Sequence, residues 1–207
     1  MIYRNSKQIH RILSGSQNIK RVYLGSNLVF DRNPIPTPPE PTPVQVANFV
    51  AGGYGSGGTL AYSYDGISWI GLGSSIFSGL CNGICWNGSM FVAVGQGTTN
   101  TMAYSYDGIT WVGLGKSIFS VYGCGVCWNG SMFVAVGYGT STVAYSSNGI
   151  DWTAVSGTIF SGQGRRVCWN GSMFVAVGLT NNYEDTYTIA YSTNGSHWTR
   201  LSDKALN

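Results

Sequence analysis

The stretch Cys85-Trp-Asn-Gly-Ser-Met-Phe-Val-Ala-Val-Gly95 decides the fold of this chain of 207 residues. Nearly the same eleven residues return at 127–137 and 168–178. An Asn-Gly pair between two apolar runs is a strong signal for a tight hairpin turn. Each copy therefore predicts two short antiparallel strands, one ending at the Trp and the other running through Phe-Val-Ala-Val.

A second repeated element follows each copy of the first. Ala61-Tyr-Ser-Tyr-Asp-Gly-Ile-Ser-Trp69 has counterparts at 103–111, 144–152 and 190–198, with spacings of 42, 41 and 46 residues. Its Asp-Gly or Asn-Gly pair predicts a second hairpin in each period. A four-stranded antiparallel unit that recurs every 40 to 45 residues is typical of propeller blades. We therefore predict an all-β, β-propeller-like repeat domain of about four such blades over residues 44–207.

Two further segments precede the repeats. All six prolines lie within residues 34–43, which predicts an extended, semi-rigid linker. Residues 1–33 contain an internal duplication, because Ile9–Ser16 aligns with Ile19–Ser26 at a period of ten. Each copy has the pattern of a short strand followed by a Gly-Ser turn. We expect a small β module that docks on a partner, because some 30 residues bury too little core to be stable alone.

The first blade is irregular at the sequence level. Asn48-Phe-Val-Ala-Gly-Gly53 stands in for the Met-Phe-Val-Ala-Val-Gly strand, and no Cys-Trp strand precedes it. Either Val44–Ala47 supplies the missing strand or the ring closes through another chain. Open strand edges favour association, so we expect a homo-oligomer.

Charge and cysteine content limit the possible functions. Residues 1–33 have six basic side chains and one acidic, whereas the remaining residues have five basic and seven acidic. A basic segment of this kind suits an acidic protein surface or nucleic acid, and equally a solvated face. Three of the five cysteines, Cys85, Cys127 and Cys168, occupy one repeat position, as small buried apolar residues do. Cys124 and Cys127 form a single Cys-x-x-Cys, so we expect no metal and no cofactor.

Targeting signals are not evident in the sequence. No run approaches the 18 or so apolar residues of a membrane-spanning helix, so we expect no membrane insertion. Met1–His10 lacks the apolar core of a signal peptide, which predicts synthesis and folding in a cytoplasm.

The loops after each Val-Gly strand vary most between repeats. They are rich in Gly, Ser, Thr, Asn and Tyr, which provide adaptable polar surfaces and aromatic faces that suit sugar rings. Ordinary turn chemistry explains the same composition. The candidate ligand-binding residues in these loops are Tyr54, Tyr138, Asn181, Tyr183, Glu184 and Asp185.

The Ser-x-Asp/Asn-Gly-x-x-Trp element resembles the Asp-box of sialidase-like propellers. Ser63, Asp65, Gly66 and Trp69 match it, and the third and fourth copies have Asn148 and Asn194 in place of the acidic residue. In that motif the acidic residue braces a hairpin, so the resemblance implies a blade and not an activity.

The arrangement as a whole resembles a class of bacteriophage and large-virus proteins rich in Trp-Asn-Gly-Ser-x-Phe-Val-Ala-Val-Gly repeats. Residues 19–31 are similar to N-terminal segments of phage tail and fibre proteins. These resemblances imply a virion component assembled in the host cytoplasm, whose partners are other virion proteins and not nucleic acid. Residues 1–33 would attach it, and the repeat domain would face outward toward a host-surface glycan. The candidate anchoring residues are Arg11, Lys20, Arg21 and Tyr23.

Two alternatives stay open. One is a free, soluble, oligomeric lectin with no role in a virion. The other is a sialidase-like glycoside hydrolase, which needs a placed pair of carboxylates and an arginine cluster. Asp65 and Asp107 are turn residues, Glu184 and Asp185 are neighbours in one loop, and the repeat domain has three arginines. We therefore expect no catalytic residues and no enzyme activity.

Overall fold

The computed structural model of the chain describes residues 45–55, 57–181 and 188–201, and the backbone of four short strands before them. The chain divides into two compact units, Met1–Pro43 and Val44–Asn207. The first unit contains two antiparallel hairpins, each formed by consecutive strands. These strands are β1 (Ile2–Arg4) with β2 (Lys7–Ile9), and β3 (Arg21–Leu24) with β4 (Asn27–Asp31).

The second unit consists of antiparallel sheets that follow one another along the chain, here called blades 1 to 4. Blade 1 contains β5 (Phe49–Gly52), β6 (Leu60–Ser63) and β7 (Ile70–Gly71). Blade 2 contains β8 (Leu80–Trp86), β9 (Phe91–Gln96), β10 (Met102–Ser105) and β11 (Val112–Gly113). Blade 3 contains β12 (Tyr122–Trp128), β13 (Phe133–Tyr138), β14 (Val143–Ser146) and β15 (Thr153–Ala154). Blade 4 contains β16 (Gln163–Trp169), β17 (Phe174–Leu179), β18 (Ile189–Ser192) and β19 (Thr199–Leu201). The predicted all-β, propeller-like class is confirmed.

The described part of blade 1 has three strands, and the inner strand that the irregular first repeat left in question is not among them. The hypothesis that Val44–Ala47 supplies the missing strand is wrong for residues 45–47, which form no strand. The backbone N–H of Ala47 instead donates a hydrogen bond of 2.8 Å to the carbonyl oxygen of Asp107 in blade 2. This bond attaches residues 45–47 to blade 2. These residues therefore do not pair with β5 as a fourth strand of blade 1.

The Asn-Gly turns explain the strongest repeat in the sequence. Asn87 accepts backbone N–H bonds from Ser89 and Met90 at 2.9 and 2.8 Å through its side-chain oxygen. Gly88 has a φ of 101°, which lies in the region that favours glycine. The same bonds recur at Asn129 and Asn170. The recurring Asn-Gly-Ser therefore has a structural role in closing the hairpin.

The blades stack through alternating residues of their second strands. In blade 2, Val92 and Val94 point toward blade 3, where they meet Phe133 and Ala135. We call the surface that a blade turns to the next blade its trailing face, and the surface turned to the previous blade its leading face. Because side chains alternate along a strand, one Phe-Val-Ala-Val sequence serves both faces. The core thus lies between the blades.

The innermost strands of blades 2, 3 and 4 run side by side, with a bulge in each. A Cβ atom on Gly83 would lie 3.4 Å from the Cα of Gly125, so this glycine allows two backbones to approach closely. The side-chain nitrogen of Asn82 donates to the carbonyl of Gly123 at 2.7 Å across the same junction. Within the described residues, no helix has the length and hydropathy needed to cross a membrane.

Candidate functional site

A cleft of about 730 Å³ lies at the junction of blades 3 and 4, at the end where the variable loops emerge. This volume falls within the usual range for small-molecule sites. The cleft is lined by Ser120, Val121, Tyr138–Thr142, Val155, Gly157, Thr158, Phe160–Gly162 and Asn181. Its walls come from three loops of blade 3 and two segments of blade 4, so only the stacked blades create it.

The repeats differ locally at the place where this cleft lies. In blade 2, the side chain of Asn100 fills the corresponding space: its oxygen accepts the N–H of Gly115 at 3.0 Å, and its nitrogen donates to Ile76 at 3.4 Å. In blade 3 the second residue before the third strand is Ser141, and the loop is one residue shorter. Ser141 has no amide to make these bonds, and Ala154 takes the register position of Gly113, which makes room for the Asn100 amide in blade 2.

The blade 4 wall of the cleft is held by Asn181 and Ser161. The backbone N–H of Asn181 donates to the Ser161 hydroxyl at 3.1 Å, and its side-chain nitrogen donates to the Ser161 carbonyl at 2.6 Å. These two bonds orient the Asn181 amide at the rim.

Tyr138 supplies an aromatic surface to the same cleft. It ends β13 and is half-buried, and its ring centre lies 5.6 Å from that of Tyr122. The Tyr122 hydroxyl donates to the Gln163 side-chain oxygen at 2.6 Å, which fixes Tyr122 between blades 3 and 4. Tyr138 therefore packs against the ring of Tyr122, which the hydrogen bond to Gln163 holds in position.

The described lining of the cleft is polar and uncharged. It offers the hydroxyls of Ser120, Ser141, Thr158 and other Ser and Thr residues, with one phenol and one amide. Hydroxyl and amide groups donate and accept hydrogen bonds, so they match a ligand that is itself rich in hydroxyls. A charged ligand would find no opposite charge among these residues. The described part of the lining is thus suited to a ligand rich in hydroxyl groups.

The predicted ligand-binding residues do not all lie together. Tyr138 and Asn181 line the cleft described above. Tyr54 lies on blade 1, is 87% exposed, and borders a separate, more open cleft of about 340 Å³. Tyr183, Glu184 and Asp185 lie outside the described residues.

The predicted anchoring residues belong to the N-terminal unit. Arg21 and Tyr23 lie on β3, and Arg11 and Lys20 lie outside the described residues.

Sequence reasoning missed the serine and threonine residues that complete the cleft, such as Ser141 and Thr158. They belong to segments that look like ordinary turns. The available signal was the one-residue shortening of the Tyr138–Thr142 loop relative to Gln96–Thr101.

The Asp-box hairpins lie away from this cleft and have a bracing role. In blade 1, Asp65 accepts backbone N–H bonds from Ile67 and Ser68 at 2.8 and 2.7 Å, and the Ser63 hydroxyl at 3.0 Å. The Trp69 indole donates to the carbonyl of Gly66 at 3.2 Å. The bonds from Ser68, Ile67 and Ser63 favour the ionised carboxylate and lower the pKa of Asp65 to about 2.

Asparagine performs the same bracing in blades 3 and 4. Asn148 accepts backbone N–H bonds from Ile150 and Asp151 at 2.9 and 2.8 Å. Asn194 accepts them from Ser196 and His197 at 3.1 and 2.9 Å. A side-chain oxygen is what the hairpin requires, and a negative charge is not.

The five cysteines are free thiols. Burial raises the pKa of Cys81 and Cys127 to about 12 and that of Cys85 to about 11, so these thiols resist ionisation. Across the part of the chain that the structure describes, no group of three or more His, Cys, Asp or Glu side chains is placed to hold a metal ion.

Comparison with known proteins finds similarity among solved structures. No protein-family model and no curated protein sequence matches this chain. Among solved structures, the chain is similar to the crystal structure of the Niastella koreensis GH74 enzyme, NkGH74, with 25% sequence identity and a TM-score of 0.43. The similarity covers 68% of this chain and spans 21% of the length of the enzyme. The fold assignment rests on the strand pairing of the chain itself.

Proposed function

We propose that this protein binds a neutral glycan in the cleft between blades 3 and 4, as a structural and adhesive component of a virus particle. Residues 1–33 attach it to other virion proteins, and the repeat domain is displayed toward the host surface. The observation that carries the binding function is the uncharged, hydroxyl-lined cleft beside Tyr138 and Asn181. The attachment function is carried by the sequence resemblance of the N-terminal segment.

The chemistry of the cleft supports a saccharide ligand. Sugar rings present hydroxyls around their edge and C–H groups on their faces, so they need hydrogen-bonding groups beside an aromatic ring. Tyr138 offers the ring, and Ser141, Thr158 and Asn181 offer the polar groups. An uncharged lining favours neutral sugars over sialic acids, whose carboxylate needs a cationic partner.

The same lining supports binding without hydrolysis. Glycoside hydrolysis by the usual mechanism requires two carboxyl groups on either side of the scissile bond. None of the described residues that line the cleft has a carboxyl group. The described lining therefore supports a binding function for this cleft over glycoside hydrolysis.

A glycan array of neutral and sialylated oligosaccharides, probed with the full chain, tests the binding function. We expect binding to neutral sugars, and we expect Tyr138→Ala and Asn181→Ala each to weaken it by about tenfold or more. Tyr106→Ala is the matched control, because Tyr106 is an exposed tyrosine on blade 2 outside the cleft. Equal loss in all three variants, or binding to sialylated sugars alone, would contradict the proposed site.

Mass spectrometry of density-purified particles tests the attachment function. We expect the full-length chain on particles and a chain lacking residues 1–33 to be absent from them. If full-length protein is absent from particles yet binds glycans in solution, the free lectin is the correct alternative.

A further inference from the structure

The same interface between blades occurs three times within the chain. In blades 2 and 3 its trailing side presents the two valines of the second strand, and in blade 1 it presents Val50 and Gly52 of β5. Its leading side presents the Phe and the Ala of the next blade. Val94 and Val136, at the centre of the trailing sides of blades 2 and 3, are both 0% exposed. Phe133 and Phe174, on the leading sides of blades 3 and 4, are buried to a similar degree.

A specific contact marks each of these interfaces. The Asp-box glycine of one blade packs against the residues at the start of the second strand of the blade before it. A Cβ atom on Gly108 would lie 2.7 Å from Val50, and one on Gly149 would lie 3.0 Å from both Met90 and Val92. In blade 4, a Cβ atom on Gly195 would lie 2.5 Å from the sulfur of Met132. The absence of a side chain at this glycine lets the blades stack closely.

Blade 4 has a trailing face that no other described blade covers. Val177, which corresponds to Val94 and Val136, is 41% exposed. Val175 and Met173 are partly exposed on the same surface, and the Cys168 thiol is exposed. Met173, Val175 and Val177 have the apolar character of the covered trailing faces, so this end of the stack exposes residues that are buried elsewhere in the chain. The inner strand differs, because the exposed Arg166 pairs with Val177 where Gly83 and Gly125 pair with Val94 and Val136. Blade 1 has no inner strand among its described residues, so its leading face brings no backbone against Arg166.

Blade 1 has the complementary leading face, and it is also uncovered. Phe49, which corresponds to Phe133 and Phe174, is 49% exposed. Gly66, the Asp-box glycine of blade 1, is exposed, whereas its three counterparts are buried. Ile67 and Trp69 extend the apolar surface beside it.

We propose that a second copy of this chain covers the trailing face of blade 4 with the leading face of its own blade 1. Met173 and Val175 of one copy pack against Gly66 and Phe49 of the other, and Val177 packs beside its Ala51, as their counterparts do inside the chain. The repeat identifies the covering surface. Each trailing face that is covered within the described chain is covered by the leading face of the next blade, and blade 1 offers the leading face that is still free. The contact is heterologous, because two different surfaces of the same protein meet.

Complementation between two full-length variants tests this pairing. Val177→Asp places a charge on the trailing face alone, and Phe49→Asp places one on the leading face alone. We expect sedimentation to show wild-type assemblies larger than one chain. Each variant alone should associate at least roughly tenfold more weakly than the wild type. An equimolar mixture should restore a one-to-one complex, because each variant keeps the face that the other has lost.

Val112→Asp is the matched control. Val112 is a similarly exposed valine on the outer strand of blade 2, so the same charge there should leave association unchanged. Both test positions are exposed, and we expect the variants to unfold at the wild-type temperature. Unchanged thermal unfolding separates a lost contact from a lost fold.

Labelling of Cys168 by a maleimide reports on the trailing face directly. In wild-type assemblies we expect roughly half or more of the Cys168 thiols to react slowly, since each contact covers one trailing face. In Phe49→Asp, which has no functional leading face to offer, all Cys168 thiols should react quickly. This readout also identifies association through residues 1–43, which would leave Cys168 equally reactive in both proteins.

Three outcomes would overturn the proposal. One is a wild-type protein that stays a single chain at about 100 µM, a concentration at which weak contacts form. Another is association that neither variant weakens. The third is association that Val177→Asp abolishes and Phe49→Asp does not affect, because it would mean that two trailing faces pair with each other. Glycan binding can fail without affecting any of these results.

Discussion

Ser141 of blade 3 takes the position that Asn100 has in blade 2, and it lines the cleft at the junction of blades 3 and 4. The Asn100 amide bridges the Gly115 N–H and the Ile76 carbonyl, whereas the backbone N–H of Ser141 donates to Ile118 at 3.1 Å. Blade 3 therefore lacks the amide bridge of blade 2 at the place where Ser141 lines the cleft.

Ser141→Asn should close the cleft. Ala154 takes the register position of Gly113, which makes room for the Asn100 amide in blade 2, so we expect the new amide to project into the cleft and to weaken glycan binding by about tenfold or more, measured by titration calorimetry. Ser141→Ala is the control, since it removes the hydroxyl and leaves the space open. A larger loss in the alanine variant than in the asparagine variant would contradict the steric explanation.

Asp65→Asn should reduce the acid sensitivity of the fold. The pKa of Asp65 is lowered to about 2 in the folded chain, against about 3.9 in an unfolded one. Its carboxylate therefore stabilises the fold above about pH 4, and this contribution is lost as the pH falls toward 2. Asparagine accepts the same bonds at 148 and 194 without titrating. Urea midpoints between about pH 5 and pH 2 should depend less on pH in the variant, and equal slopes would refute this account.

Gly108→Ala should destabilise the chain more than Gly66→Ala. The two glycines have φ values of 75° and 78°, so the backbone strain of an alanine is nearly the same at both. A Cβ atom at Gly108 would also lie 2.7 Å from Val50 of blade 1, whereas Gly66 lies on the uncovered face. We expect a difference of roughly 1 to 3 kcal/mol in the free energy of unfolding, from chemical denaturation of dilute protein. Similar values for both variants would mean that the blades separate at little cost.

Cys168 should be the first thiol to react with a maleimide in dilute protein. It is exposed, whereas Cys81 is 5% exposed and burial raises its pKa to about 12. Low accessibility and a low thiolate fraction both slow the reaction of Cys81. Peptide mapping by mass spectrometry after partial labelling checks the order. Prior labelling of Cys81 would contradict the packing of blade 1 on blade 2.

Much of the fold could be predicted from local sequence signals. The Asn87-Gly88 and Asp65-Gly66 pairs mark hairpins because their turns require a positive φ and a side-chain oxygen that accepts backbone N–H groups. These requirements act within four residues, so the sequence states them directly. The number of strands per repeat follows from the spacing of such turns.

The candidate site could be predicted only in part. Tyr138 and Asn181 stood out because their loops vary between repeats, but the same argument selected Tyr54, which lies in a different cleft. Ser141 and Thr158 have no local signal, since their role depends on which loops the stacking of the blades brings together.

The sequence by itself determined the elements that depend on neighbouring residues: the hairpins, the period of the blades and the alternation of apolar side chains. Only the tertiary structure decided which copies of a repeated residue are covered. Val94 and Val177 have the same local sequence, yet one is buried by the next blade and the other is exposed at the end of the stack. Burial depends on contacts between residues far apart in the chain, and identical repeats give no information about which of them lies at an end.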